Sequence, residues 1–158
     1  MLSYVDNPIG QPDAHVKVIH QEQTNQNLFI ILEVNSSSAT CPTCRKASSR
    51  PHSRYCRRVN DLPFSNLAVQ LQIIVRKWFC DNSECESRIF TERLSWLKPY
   101  QRRTERLEHA LEKIALSTNC LTAEKVCRAL YIPVSHYTLL RKVKKLSYEP
   151  GHSPFRRY

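Results

Sequence analysis

A chain of 158 residues, 41% hydrophobic and with only two glycines, has apolar material for one domain or two small ones in series, and is too well mixed to be a low-complexity segment. No apolar run is long enough to cross a bilayer, and seven cysteines with no apolar leader ahead of them point to a reducing, cytoplasmic compartment. The formal charge of +10 directs attention to a polyanionic partner, with a merely solvated basic surface or a membrane surface as blander alternatives.

Pro8, Gly10 and Pro12 make the first dozen residues an irregular lead-in. His15 to His20 reads as a short strand and Leu28 to Val34 as a stronger one, β-branched and apolar. The polar residues Gln21 to Asn27 turn the chain between them, so the two are expected to pair as a hairpin. Ser36, Ser37 and Ser38 then lead to Cys41-Pro-Thr-Cys44. The segment from Ser53 to Val59 can be extended, and Asp61-Leu62-Pro63 is expected to turn. Leu67, Val69, Leu71, Ile73 and Val75 alternate with their neighbours in the clearest strand of the sequence. That strand runs into Cys80 and Cys85, and Ile89-Phe90-Thr91 continues after them. Trp78 and Phe79 read as core beside the cysteines, with base stacking as the weaker use of the rings.

Cys41 and Cys44, then Cys80 and Cys85, form one C-x2-C and one C-x4-C pair. Each short turn lets two thiolates converge, and two turns complete a tetrahedral Zn2+ site. Four sulfur ligands leave no position for an activated water, so such a site is structural rather than hydrolytic. A redox pair, disulfides and an iron–sulfur cluster are the competing uses of these cysteines. Cys56, Cys120 and Cys127 read as small buried hydrophobes.

Pro99 separates this part from a helical one. Leu107, Ala110, Leu111 and Ile114 predict a helix from about Arg103 to Ser117. Ala123, Val126, Cys127 and Leu130 predict a second, with Thr122 as its N-cap and Pro133 beyond its end. Ser135 is expected to cap a third, with Val134 and Leu139 as a hydrophobic staple and Leu139, Leu140, Val143 and Leu146 on its buried side. The expected fold is α+β: a small zinc ribbon of β-hairpins with a four-cysteine site, followed by a three-helix helix-turn-helix domain. The divisions are residues 1–97, 98–148 and a linker-like tail over 149–158.

Basic residues cluster twice. Arg45, Lys46, Arg50, Arg54, Arg57 and Arg58 occupy a stretch with no acidic residue, and Arg141, Lys142, Lys144 and Lys145 lie near the C-terminus. Such blocks suit phosphate contact. On the third helix Ser135, His136, Tyr137, Thr138, Arg141, Lys142 and Lys145 are the candidate contacts to double-stranded DNA, those of the first turn facing base edges. An ordinary helical bundle with a solvated basic face is the alternative.

The chain resembles the N-terminal half of one group of bacterial insertion-sequence transposases, the ISL-three type. The resemblance is carried by Cys41-Pro-Thr-Cys44, Pro51-His-Ser-Arg-Tyr55, Arg58, Asp61-Leu-Pro63, Val75-Arg-Lys-Trp-Phe-Cys80, Cys85 and Ile89-Phe-Thr-Glu-Arg93. It continues through Arg102-Arg103-Thr104 to Pro133-Val134-Ser135 and Thr138-Leu139-Leu140-Arg141. It implies binding of terminal inverted repeats by this half, and an RNase-H-like half with an Asp-Asp-Glu metal site beyond it. The sequence stops where that nuclease would begin, so no catalytic residue is carried over and the chain is not expected to be an enzyme. A shortened transposase, a remnant of an element and a small recruited DNA-binding protein all fit. The expectation is a sequence-specific, nucleoid-associated DNA-binding protein; a protein-interaction adaptor and a DNA-targeting subunit for a separate nuclease or transposase chain are the alternatives, with self-association open.

Overall fold

The computed structural model describes residues 15–147. The lead-in expected over the first dozen residues and the tail expected from Glu149 to Tyr158 lie outside the described residues. Strands β1 (Val16–Gln23) and β2 (Asn27–Val34) pair antiparallel, as their alternation predicts. Thr24 closes the hairpin, its N–H donating to the Asn27 carbonyl at 2.8 Å.

After β2 the chain passes through a small two-stranded unit, β3 (Ala39–Thr40) and β4 (Ala47–Ser48), into the long strand β5 (Pro51–Phe64). It then returns as β6 (Leu67–Phe79) and finishes with β7 (Ile89–Thr91). The larger sheet has the order β1-β2-β6-β5, with β7 on the far end of β6. β5 and β6 are antiparallel, whereas β2 and β6 run parallel from Asn27↔Ala68 to Glu33↔Ile74. Sequence patterning accounts for the strands themselves but not for their union in one mixed sheet.

One sheet face is apolar. Leu28, Ile30, Leu32 and Val34 of β2 lie beside Leu67, Val69, Leu71, Ile73 and Val75 of β6, with Leu94 and Leu97 closing over them. The turn expected at Asp61-Leu62-Pro63 is instead a register shift inside β5, a place where an edge strand tolerates proline. The reversal comes at Ser65 and Asn66, whose φ values of 48° and 62° are those of a two-residue hairpin turn with both residues left-handed.

Three helices follow: α1 (Glu105–Ser117), α2 (Cys120–Ala129) and α3 (His136–Ser147). Thr104 caps α1, and Glu105 and Glu108 favour its positive end. Asn119, not Thr122, caps α2; its side chain accepts from the Thr122 N–H at 2.9 Å. The end of α2 is set by Tyr131 at φ 59°, with its N–H donating to Arg128 O and that of Ile132 to Cys127 O. This paired bonding is the Schellman arrangement, here with tyrosine where glycine is usual. It folds Ile132 into the helical core with Leu107, Leu111, Cys127 and Leu139. Val134 packs on the same core, as the staple predicts. Leu140 and Leu146, expected on the buried side of α3, are exposed.

The helices are fastened to the sheet. Asn60 of β5 receives the Thr104 N–H on its carbonyl and donates its own N–H to Arg102 O. Leu62 lies against the helical core. No helix among the described residues is long and apolar enough to cross a membrane.

Candidate metal centre and nucleic-acid interface

Because β2 and β6 are parallel, both leave the sheet at the same end, and β5 enters there as well, Pro51 being opposite Trp78. Residues far apart in sequence are thereby delivered to one place. Cys41 and Cys44 come from the β3–β4 turn, Cys80 and Cys85 from the turn between β6 and β7. The four sulfurs lie within 4.8 Å of one another. Cys44 Sγ is 3.5 Å from Cys80 Sγ, and Cys41 Sγ is 3.9 Å from Cys85 Sγ. Ligand bonds of about 2.3 Å put tetrahedral sulfurs about 3.8 Å apart, so the donor set fits a single Zn2+.

All four cysteines are unbonded thiols at separations far beyond a disulfide. An iron–sulfur cluster interposes several irons between its cysteines, for which so close a foursome has no room. Backbone N–H groups point at the sulfurs. The Cys44 N–H bonded to Cys41 lowers the Cys41 pKa, and the Lys46 N–H lowers that of Cys44 to about 6. At Cys80 the Asn82 N–H acts in the same direction, but burial and the neighbouring thiols outweigh it and push the group up to about 12. Four crowded thiols cannot all ionise alone; a divalent cation makes the tetrathiolate favourable.

The surroundings brace the two knuckles against each other. Thr43 Oγ1 meets Ser87 Oγ at 2.8 Å, Lys46 Nζ donates to Asn82 Oδ1, and Ser48 Oγ donates to Asp81 Oδ2. Trp78 and Phe90 pack on the cysteines, so Trp78 is core and closed to base stacking. Arg45 takes φ 60° inside the first knuckle. There its N–H donates to Cys41 O, and the Lys46 carbonyl accepts from the Cys41 N–H. Of the other cysteines, Cys127 is buried and Cys120 half-buried, but Cys56 is exposed on β5, contrary to the expectation of burial.

The basic residues fall into two kinds. Arg50 pairs with Asp81 at 3.3 Å and lies over the Phe79 ring, and Arg54 pairs with Glu33 at 3.0 Å. Arg57 donates to the Lys98 and Gln101 carbonyls. Arg45, Lys46 and Arg58 are exposed. On α3, Lys142 is drawn onto α1 by Glu108 and Glu112 rather than standing on a free flank. His136 Nδ1 is 2.8 Å from Glu124 Oε2 on α2, so its ring braces α3 against α2. Ser135 precedes α3, its carbonyl accepting from the Thr138 and Leu139 N–H groups, and its hydroxyl is 3.3 Å from that of Thr138.

What remains open on α3 is Tyr137, Leu140, Arg141, Lys144, Lys145 and Leu146. Tyr137, Leu140, Arg141 and Lys144 follow the i, i+3, i+4, i+7 spacing of one helix face. Sequence reasoning passes over Leu140 as a contact and counts Lys144 only as a member of the basic cluster. The signal is present in that spacing, but Leu140 also suits the core stripe.

Residues 37–85 match the family described as zinc-finger of transposase IS204/IS1001/IS1096/IS1165. Over 98 residues the chain is 33% identical to a transposase for insertion sequence element IS1001 from Bordetella parapertussis. That alignment covers 62% of this chain and 23% of the relative, so less than a quarter of the relative's length is represented. No solved structure matches the chain significantly. The cysteine cluster is therefore a structural Zn2+ site, in a segment similar to the zinc ribbon of ISL-three-type transposases.

Proposed function

We propose that the chain binds double-stranded DNA in a sequence-specific way, with α2, the turn over 130–135 and α3 acting as a helix-turn-helix and α3 as its reader. The observation that carries this reading is the division of α3 into two faces. Leu139 and Lys142 are held inward, one in the core and the other by two glutamates, while Tyr137, Leu140, Arg141 and Lys144 form an exposed stripe. A basic stripe with an apolar member suits a major groove, where arginine recognises guanine and an apolar side chain meets the thymine methyl. The short turn fixed by Tyr131 and capped by Ser135 gives the pair of helices a defined junction.

The zinc ribbon braces the end of the sheet and presents Arg45, Lys46 and Arg58 to phosphates. The DNA site is a terminal inverted repeat, by likeness to a transposase, and the chain supplies no catalytic residue. Cleavage belongs to a nuclease that continues the chain or associates with it, and the protein acts at the nucleoid. Selection of bound duplexes from a random pool, with the zinc-loaded chain, tests this. A single enriched motif whose recovery is abolished by Arg141→Ala is the expected result. Enrichment without a motif overturns sequence reading by α3, and absence of any salt-sensitive binding favours the adaptor.

A further inference from the structure

Tyr100 is 98% exposed and sits at φ 61°. A left-handed backbone is disfavoured for a bulky residue and persists only where its surroundings hold it. Here the holder is Arg57, whose guanidinium donates to Lys98 O at 3.1 Å and Gln101 O at 2.8 Å, on either side of Tyr100. The loop is pinned so that the ring stands in solvent.

Two adjoining hollows, of about 500 and 690 Å3, share Tyr55, Arg57 and Tyr100 as walls. Together they cross the sheet from Thr43 and Ser87 beside the zinc knuckles, past Thr91 of β7, Lys77 of β6 and Tyr55 of β5, to Asn60 and Arg102. Arg93 lies at one end, Arg58 and Arg102 at the other, and all three are exposed. Lys77 stands over the Tyr55 ring at 5.2 Å. The lining carboxylate is Glu92, and Ser36 hydrogen bonds to its Oε1. Arg57 and Arg93 both line the first hollow, beside Tyr55 and Tyr100.

We propose that this groove is a second nucleic-acid site, specific for unpaired nucleotides of single-stranded DNA: Tyr100 and Tyr55 stack on bases, and Arg93 and Arg102 follow the phosphates. The chemistry separates this site from α3. Base faces are hidden inside a duplex and become available to aromatic side chains only when strands part. A row of cations without exposed rings serves duplex phosphate equally well, whereas two exposed tyrosines between cations serve a single strand. The site goes beyond duplex reading and does not depend on it.

The test is fluorescence anisotropy of a labelled oligothymidylate with the zinc-loaded chain, compared with Tyr100→Asn and Arg93→Glu. Asparagine removes the ring but tolerates the left-handed backbone, so the loop keeps its course. Loss of one base-stacking contact means that Tyr100→Asn is expected to weaken oligothymidylate binding by about fivefold to a hundredfold while duplex binding stays unchanged. Arg93→Glu should weaken it further. Arg141→Ala should leave it intact while impairing duplex binding, which keeps this site and the reader separately testable. The proposal is overturned if oligothymidylate does not bind, if Tyr100→Asn binds it as the parent does, or if polyglutamate displaces it at equal charge.

Discussion

Arg106 on α1 reaches the carboxylate of Asp61 on β5, its Nε donating to Oδ1 at 2.8 Å and its Nη2 pairing with Oδ2. The Asp61 side chain is fully buried, and the same Oδ1 accepts from Thr104 Oγ1 at 2.6 Å and from the Leu62 N–H at 2.8 Å. A buried carboxylate is tolerable only with such a set of donors. The acid thus joins three things: the irregular end of β5, the cap of α1 and the flank of the first helical turn.

Asp61→Ala is expected to destabilise the chain by about 2–3 kcal/mol, below the usual cost of opening a buried pair because Arg106 is partly solvated. Chemical denaturation should show a lower midpoint with zinc content unchanged. If the midpoint does not move, the helices are not held to the sheet through this residue.

One zinc per chain is expected, held by Cys41, Cys44, Cys80 and Cys85. Replacing any of them by serine should weaken metal binding and loosen residues 41–90. Chelation should broaden amide signals of the knuckles and of Phe90 before those of α1, since the helices have their own core. Elemental analysis of reduced protein that finds no zinc would reject the site. Collapse of helical and ribbon signals together would reject the independent helical core.

The Glu124 carboxyl is held below its ordinary value of 4.5, first by the hydrogen bond from His136. A lowered pKa contributes stability above the unfolded value and loses it as pH falls through the folded one. The α2–α3 junction should therefore be firm near neutrality and loosen on the acid side of 4.5. Amide exchange in Ser135 and His136 should accelerate there, and Glu124→Gln should remove that pH dependence. Identical acid profiles in the two proteins would show that the pair does not hold the junction.

The most legible parts of this structure are those with local causes. Cysteine spacing points to the metal centre, alternation to β6, and the Val134–Leu139 staple to the start of α3. The mixed sheet is hidden because parallel pairing of β2 with β6 joins residues about forty apart and leaves no local mark. The β5–β6 reversal is easily misplaced because Pro63 is a stronger turn signal than Ser65-Asn66, yet an edge strand accommodates the proline at a bulge. Lys142 and His136 look like surface contacts in the sequence because their acidic partners, Glu108 and Glu124, belong to other helices.

Binding to duplex should be steeply dependent on salt. If roughly six side chains such as Arg45, Lys46, Arg58, Arg141, Lys144 and Lys145 meet phosphates, log K should fall against log salt with a slope of about −5. A slope near zero in a titration series would remove the electrostatic basis of the interaction and favour a protein partner.

The two sides of α3 lead to opposite expectations for neighbouring residues. Arg141 is exposed in the middle of the stripe, with Tyr137 one turn before it. If it forms a bidentate contact with guanine, Arg141→Ala should lose about 1–3 kcal/mol of discrimination, measured as the ratio of affinities for a selected site and a scrambled duplex. Lys145→Ala should weaken both duplexes by the same factor, because a phosphate contact carries no sequence information. Lys142 is held by Glu108 and Glu112, so Lys142→Ala should lower thermal stability and leave that ratio unchanged. Equal loss on both duplexes for Arg141→Ala and Lys145→Ala would make Arg141 a phosphate clamp. Specificity would then have to come from the segment Arg45 to Arg58, whose exposed members, beginning with Arg45, Lys46 and Arg58, are the next to substitute.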